Sequence, residues 1–367
     1  MDLSSEDALR LNVLLANKPQ AIRIDESAFT LHALTEKGET TLTLNPNCRE
    51  DLYLRKVRET LSGHALGSPG GYPVYLKRWS RMGQTRDDNL EQLLLLGEPE
   101  AVVAVTSAKG LTNEVARRAW WTSQEPDNAR RMLQNQHVIE GGIGPELARF
   151  LIEYLPFETE PLTIVESLRL VLQPGLISEK ECHELWKRCA RKPTYYLGFL
   201  AAIPDQLPQP PVARVISDEE SLSWRSLAES GNPYALMMQR VSTSQGQGFI
   251  ATALKVMEKP ANQDVVTMLL DVLQDYFSSL RPQGDPDLTL EELQLEAHSL
   301  QDEHLTACCA VNDKREAEFR TFFLLSGLGY GAVRPVFSKT DSIGSLMRKK
   351  LAPVFDPLKE QLLQLMD

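Results

Sequence analysis

The sequence predicts a mainly α-helical protein, in which a HEAT-like, α-solenoid array of helical pairs follows a small N-terminal α+β domain with a three-stranded antiparallel meander. Glu-Pro recurs at 98–99, 125–126 and 160–161, and Lys-Pro at 192–193 is a looser copy, with spacings of 27, 35 and 32 residues. Proline is favoured at a first helical position because its missing N–H would be unpaired there. Such recurrence is typical of stacked helical pairs. Glycine-led amphipathic runs lie between the prolines, and apolar and polar residues alternate near the N-terminus.

The N-terminal elements follow from two different periodicities. Residues 3–17 carry leucines at helical spacing behind a serine that can cap the helix. Apolar and polar residues then alternate over 22–25, 29–33 and 41–44, which is the period of a strand. A further helix is expected over 49–62, ending before the next glycine. These elements define the small α+β domain.

The helices of the array repeat one apolar stripe. The runs that begin at Leu111 and Ile143 have apolar residues at i, i+4, i+5, i+8 and i+9, which form one face of a helix. A third run from Ile177 agrees except at Glu181. A proline-rich break at 204–211 interrupts the pattern. We therefore expect three regions, with boundaries at 1–88, 89–206 and 207–367.

The C-terminal segment is less regular. An acidic helix without lysine or arginine is expected over 288–311, followed by a helix over 312–326. A basic hinge at 348–350 precedes a predicted closing helix at 357–366. Opposite charges at the two ends indicate docking within the chain or end-to-end contact between chains.

Composition narrows the function classes. The 367 residues carry a formal net charge of −11, which argues against indiscriminate binding to nucleic acid or anionic lipid. No stretch approaches about 18 consecutive apolar residues, and the N-terminal residues lack a basic and hydrophobic leader. We therefore expect a cytoplasmic protein without a membrane partner. The five cysteines are an odd, sparse set, so reduced thiols are expected.

A glycine- and proline-rich basic loop is the strongest candidate binding segment. Residues 49–86 contain eight Lys or Arg against three acids. A Ser-Pro-Gly-Gly turn can present backbone N–H groups to an anion, and the aromatic and basic residues after it suit single-stranded nucleic acid. The alternative is a solvated basic turn whose aromatic rings pack on the first helix of the array. The candidate binding residues are His64, Ser68, Gly70, Gly71, Tyr72, Tyr75, Lys77, Arg78, Trp79 and Arg81.

Thiol chemistry is the second candidate. Cys182, Cys308 and Cys309 are the residues for a sulfur-transfer or redox role. The repeat alignment places Cys182 at a small buried position, where a thiol packs like a hydrophobic residue. The acidic surroundings of the other two would raise a thiol pKa. No metal-ligand spacing, nucleophile motif or cofactor motif occurs, so neither a metal nor a cofactor is expected.

Residues 14–17, 22–27, 62–84 and 93–121 carry a resemblance to the DsrS family. The similarity is densest in the N-terminal half and fades in the proline-rich segment. DsrS proteins are soluble cytoplasmic products encoded with the reverse dissimilatory sulfite reductase genes of sulfur-oxidising bacteria. The resemblance implies a place in the oxidation of stored sulfur. It implies no activity, because the family has no established catalytic motif, and regulation after transcription is the role it suggests.

Two functions follow from the sequence. The first is a non-catalytic helical-repeat scaffold that binds a protein of the sulfur-oxidation machinery, as stacked helical pairs commonly do. Its regulatory version binds RNA through residues 64–86. The second is a cysteine-based sulfur-transfer or redox protein of the same pathway.

Overall fold

The chain is mainly helical. The computed structural model describes residues 3–67, 90–281, 285–339 and 342–366. Within these residues it forms twenty α-helices, short 3₁₀ turns and one three-stranded antiparallel sheet. The predicted fold class of a mainly α protein with a small N-terminal meander is therefore confirmed.

The chain divides into two compact units. Unit 1 contains Met1–Tyr154 and Gln173–Ile177, and unit 2 contains Leu155–Leu172 and Ser178–Asp367. The expected division into three regions stays a prediction.

Unit 1 begins with helix α1 (Ser5–Ala16). As predicted, a serine caps it: the Ser4 hydroxyl accepts a hydrogen bond from the Asp7 backbone N–H. The chain then forms strands β1 (Ala21–Asp25), β2 (Thr30–Thr35) and β3 (Gly38–Thr43). Adjacent strands pair antiparallel in sequence order, which is the predicted meander.

Helix α2 (Glu50–Leu66) packs with α1 on one face of the sheet. Their shared core is apolar: Leu11, Leu14, Leu15, Ile22, Leu31, Ala33, Leu42, Leu44, Tyr53, Leu54, Val57 and Leu61. The helix continues past Gly63, where the sequence predicted its end, because that glycine keeps helical geometry. It ends instead at Gly67, whose φ of 66° is a left-handed conformation that glycine adopts without steric cost.

A buried carboxylate joins three segments of unit 1. Asp7 is 1% exposed, and it accepts hydrogen bonds from the Tyr53 hydroxyl at 2.6 Å and from the backbone and side-chain N–H groups of Asn45, both at 3.2 Å. Burial alone would raise the pKa of Asp7, but these hydrogen bonds outweigh it and hold the pKa below its ordinary value.

Short helices complete unit 1: α3 (Leu90–Leu93), α4 (Pro99–Thr106), α5 (Asn113–Thr122), α6 (Pro126–Met132), α7 (Gln136–Ile139) and α8 (Gly144–Tyr154). The Glu-Pro prediction is confirmed here, since Pro99 and Pro126 each occupy the first helical turn. The predicted stripe is also buried in α5 and α8, where Ala116 and Ala148 are both 0% exposed.

Unit 2 is an assembly of longer helices. They are α9 (Pro161–Val171), α10 (Glu179–Arg188), α11 (Thr194–Ala202), α12 (Asp218–Glu229), α13 (Pro233–Ser242), α14 (Ser244–Glu258), α15 (Gln263–Phe277), α16 (Leu290–Ser299), α17 (Glu303–Val311), α18 (Glu316–Leu325), α19 (Tyr330–Phe337) and α20 (Gly344–Gln364). Pro161 starts α9, whereas Pro193 lies one residue before α11.

Helix α15 is the centre of unit 2. It packs against α9 and α11, which precede it by more than sixty residues, and against α18 and α19, which follow it. In a solenoid each repeat contacts only its neighbours in the sequence. A solenoid arrangement is therefore not confirmed.

Two C-terminal expectations were wrong in their bounds. The acidic segment forms two helices, α16 and α17, because Asp302 accepts a hydrogen bond from the backbone N–H of Leu305 and caps a new helix. The closing helix α20 begins at Gly344 and passes through Pro353 and Pro357. These prolines are one turn apart on an accessible side of the helix, where water can bind the carbonyl groups they leave unpaired.

Candidate functional site

The predicted binding loop is reached only at its first residue. His64 lies exposed in the last turn of α2. The other predicted binding residues lie outside the described residues: Ser68, Gly70, Gly71, Tyr72, Tyr75, Lys77, Arg78, Trp79 and Arg81. RNA binding by residues 64–86 therefore stays a prediction from sequence.

Cys182 lies on α10 and is half-buried, unlike the fully buried alanines with which it aligns. Burial and the nearby Glu179 carboxylate raise the pKa of its thiol. Cys189 ends the same helix and is buried, which raises its pKa to about 12. Both directions reduce the thiolate fraction near neutral pH, and the thiolate is the nucleophile in sulfur chemistry.

Cys308 and Cys309 lie on α17. The Cys308 thiol is buried and donates to Asn232 Oδ1 at 3.5 Å. Burial, followed by the influence of Cys309, raises its pKa to about 11. Cys309 is half-buried, and burial and Glu316 raise its pKa. Neither environment contains the positive charge that activates a cysteine.

Metal binding finds no support within the described ranges. No group of three or more His, Cys, Asp or Glu residues in them could hold a metal ion. The described helices also include none with the length and apolar content needed to span a membrane.

The largest concave surface on unit 2 is a groove of about 1130 Å³ formed by α16, α18 and α20. Helices α16 and α20 both pack against α18, so α18 forms the floor between two helical walls. We call it the unit 2 groove. Its lining residues are Glu291, Gln294, Leu295, Ala297, His298, Asp313, Lys314, Glu316, Ala317, Arg320, Thr321, Leu324, Pro357, Glu360, Gln361 and Gln364.

Arg320 fastens one wall of the unit 2 groove to its floor. Its guanidinium donates to Glu316 Oε1 at 2.6 Å and to the His298 carbonyl oxygen at 3.0 Å, and it also contacts the Ala297 carbonyl oxygen. These carbonyls belong to the last turn of α16, where backbone acceptors lack helical partners. The arginine therefore caps α16 and has little capacity left for a ligand.

The inner side of α18 is anchored by a buried ion network. Arg214 donates twice to Glu318, with Nη2 to Oε1 at 3.0 Å, and Arg315 donates to the same carboxylate at 2.9 Å. Arg315 also reaches Glu220 at 3.4 Å. The Arg214 side chain is 5% exposed and that of Glu318 is 11% exposed. A network of alternating charge, shielded from water, holds the groove floor in one position.

The exposed lining of the unit 2 groove combines apolar and acidic character. Leu295 is 68% exposed on the α16 wall. The lining contains four carboxylates against one lysine and one arginine. On the α20 wall, Gln361 Oε1 is buried and accepts no hydrogen bond from any described residue. An apolar side chain, an acidic rim and a vacant acceptor suit a basic amphipathic peptide segment.

The groove offers little for catalysis. Its lining has one histidine, His298, and no cysteine or serine. Sequence reasoning missed the groove because its lining spans residues 291–364, and packing alone brings these residues together. The one sequence signal was the opposite charge of the acidic segment and the closing helix, which form its two walls.

No protein-family model, curated protein or solved structure matches this chain. The resemblance to the DsrS family therefore stays a prediction.

Proposed function

We propose that the protein is a non-catalytic accessory or regulatory factor of dissimilatory sulfur oxidation that binds a partner protein in the unit 2 groove. The assignment to this pathway rests on the resemblance to the DsrS family. The binding role rests on the groove itself, whose volume of about 1130 Å³ exceeds the usual range for a small-molecule pocket. A HEAT-like repeat array, if present, would be confined to parts of the chain such as α4 to α8.

The proposed partner element is an amphipathic helix with basic residues beside its apolar face. Leu295 supplies an apolar contact on one wall, and Glu291 and Glu360 supply negative charge on opposite walls. A helix laid in a groove uses apolar residues as anchors and charged residues to set orientation. The network beneath α18 favours a preformed groove, which lowers the entropic cost of binding.

Affinity capture with the tagged full chain tests this function. The extract comes from a sulfur-oxidising bacterium grown on reduced sulfur, and quantitative mass spectrometry measures the captured proteins. We expect enrichment of a dissimilatory sulfur-oxidation component. The Leu295→Glu variant should reduce that recovery roughly tenfold, because it places a charge at an apolar contact.

Leu346→Glu is the matched control. Leu346 is an exposed leucine of α20, at 54% exposure, and it does not line the unit 2 groove. This variant should capture the partner as the wild type does. Absence of sulfur-oxidation components from the wild-type capture would refute the pathway assignment. An equal loss with both variants would refute the groove as the docking surface.

The thiol hypothesis receives less support. Burial raises the pKa of Cys182, Cys308 and Cys309, which opposes formation of a nucleophilic thiolate.

A further inference from the structure

Unit 1 contains a second concave surface of different chemistry. It lies where the end of α4 and the following turn meet the end of α6 and the start of α7, and its volume is about 530 Å³. We call it the unit 1 pocket. Its lining residues are Thr106, Ser107, Ala108, Lys109, Arg131, Gln134, Asn135, Gln136 and His137.

The charge of the unit 1 pocket is opposite to that of the protein. Its lining includes Lys109, Arg131 and His137 and no acidic residue, although the chain carries eleven more acidic than Lys and Arg side chains. Within the described ranges none of these three side chains forms an ion pair with a carboxylate. The adjacent Arg130, by contrast, pairs with Asp127 at 2.5 Å.

The backbone that carries two of these cationic groups is fixed by one amide. Asn135 Nδ2 donates to the Lys109 carbonyl oxygen at 3.1 Å, and Asn135 Oδ1 accepts from the His137 backbone N–H at 2.9 Å. The side chain of Asn135 therefore holds the turn after α4 against the start of α7. The two segments cannot separate without losing these hydrogen bonds.

A second amide positions the arginine. Arg131 Nη1 donates to Asn128 Oδ1 at 3.3 Å, and Asn128 is 3% exposed. Asn128 is held in turn by its donation to the Ser123 carbonyl oxygen at 3.3 Å. A neutral partner orients the guanidinium without neutralising its charge, so the remaining N–H groups can bind an anion.

We propose that the unit 1 pocket binds a phosphate monoester of nucleotide size. A guanidinium fork and an ammonium group are the side chains that proteins use for phosphate, and they bind it through charge-assisted hydrogen bonds. A volume of about 530 Å³ is larger than a bare phosphate needs and falls in the range of small-ligand pockets. The amides of Gln134 and Gln136 and the hydroxyl of Ser107 provide neutral hydrogen-bonding groups for the organic part.

Isothermal titration of the full chain tests this inference, with adenosine monophosphate, inorganic phosphate and adenosine as probes. We expect adenosine monophosphate to bind more tightly than inorganic phosphate, and adenosine to bind least. Arg131→Gln should weaken adenosine monophosphate binding roughly tenfold or more, since it removes charge-assisted hydrogen bonds. Lys109→Gln should weaken binding less, because an ammonium acts as a point charge.

Lys37→Gln is the matched control, because it removes an exposed lysine from the β2–β3 turn, outside the pocket. It should leave affinity unchanged, and circular dichroism should show that all variants are folded. No heat of binding at about 1 mM adenosine monophosphate would overturn the proposal. Equal binding of adenosine would overturn the role of phosphate, and wild-type affinity in both pocket variants would overturn the location.

Discussion

The two concave surfaces differ in what their cationic side chains contact. In the unit 2 groove, Arg320 binds Glu316 and the carbonyl groups of α16. In the unit 1 pocket, Lys109, Arg131 and His137 form no ion pair with a carboxylate in the described ranges. The groove arginine is therefore used to hold helices together, whereas the pocket cations can bind an external anion.

The same difference appears in the buried polar groups. Unit 2 buries Glu318 between Arg214 and Arg315, so charge meets charge. Unit 1 buries Asp7 among the neutral donors of Tyr53 and Asn45. Cationic side chains in unit 2 thus serve its own packing, and this comparison yields predictions of decreasing size.

The largest effect is expected at the network beneath the groove. Glu318→Gln keeps the shape of the side chain but leaves the charges of Arg214 and Arg315 without their shared anion. Breaking a buried pair in this way should lower the free energy of opening of α18 by about 3 kcal/mol. Native-state hydrogen exchange of residues 316–325 measures that free energy for this segment alone.

The control for this network is Glu316→Gln on the same helix. Glu316 has 48% of its side chain exposed and pairs with Arg320 near the surface. Its loss should cost about 0.5 kcal/mol, since water screens exposed ion pairs. Equal effects of the two substitutions would show that buried charge pairing does not hold the groove floor.

A smaller effect is expected at Asp7 in unit 1. Asp7→Asn should lower the free energy of unfolding by about 2 kcal/mol at pH 7, because an amide cannot accept all the hydrogen bonds of a carboxylate. The folded pKa lies below the ordinary value, so this stability is present above about pH 4 and is lost as pH falls through the folded pKa. Urea titrations at pH 3 and pH 7, read by hydrogen exchange of residues 5–16, measure both effects.

The exposed Glu6 provides the control for that carboxylate. Glu6→Gln changes a side chain that is 75% exposed in the same helical turn, and it should have little effect at either pH. A difference between wild type and Asp7→Asn that persists unchanged at pH 3 would contradict the assigned role of the carboxylate.

Much of the fold was predictable because it depends on local rules. The alternation around Ile22, Leu31 and Leu42 predicted the sheet, since a half-buried strand has a period of two. Pro99 and Pro126 marked helix starts for a similar local reason. The central position of α15 was not predictable, because it depends on contacts with helices far away in the sequence.

The candidate sites were less predictable. Sequence reasoning examined clusters of nearby residues, such as the basic loop after His64, and these give a local signal. Lys109 and Arg131 are 22 residues apart, and only the amide contacts of Asn128 and Asn135 bring their segments to one pocket. The walls of the unit 2 groove are separated still further, so neither site has a sequence motif.

The contrast between the two concave surfaces is tested most directly by hydrogen exchange of the full chain with and without adenosine monophosphate. The account predicts slower exchange in peptides covering residues 106–109 and 131–137, and unchanged exchange in peptides covering 313–324 and 357–364. Slower exchange in the groove peptides, or in neither set, would contradict the claim that the free cations of unit 1 are the site of an external anion.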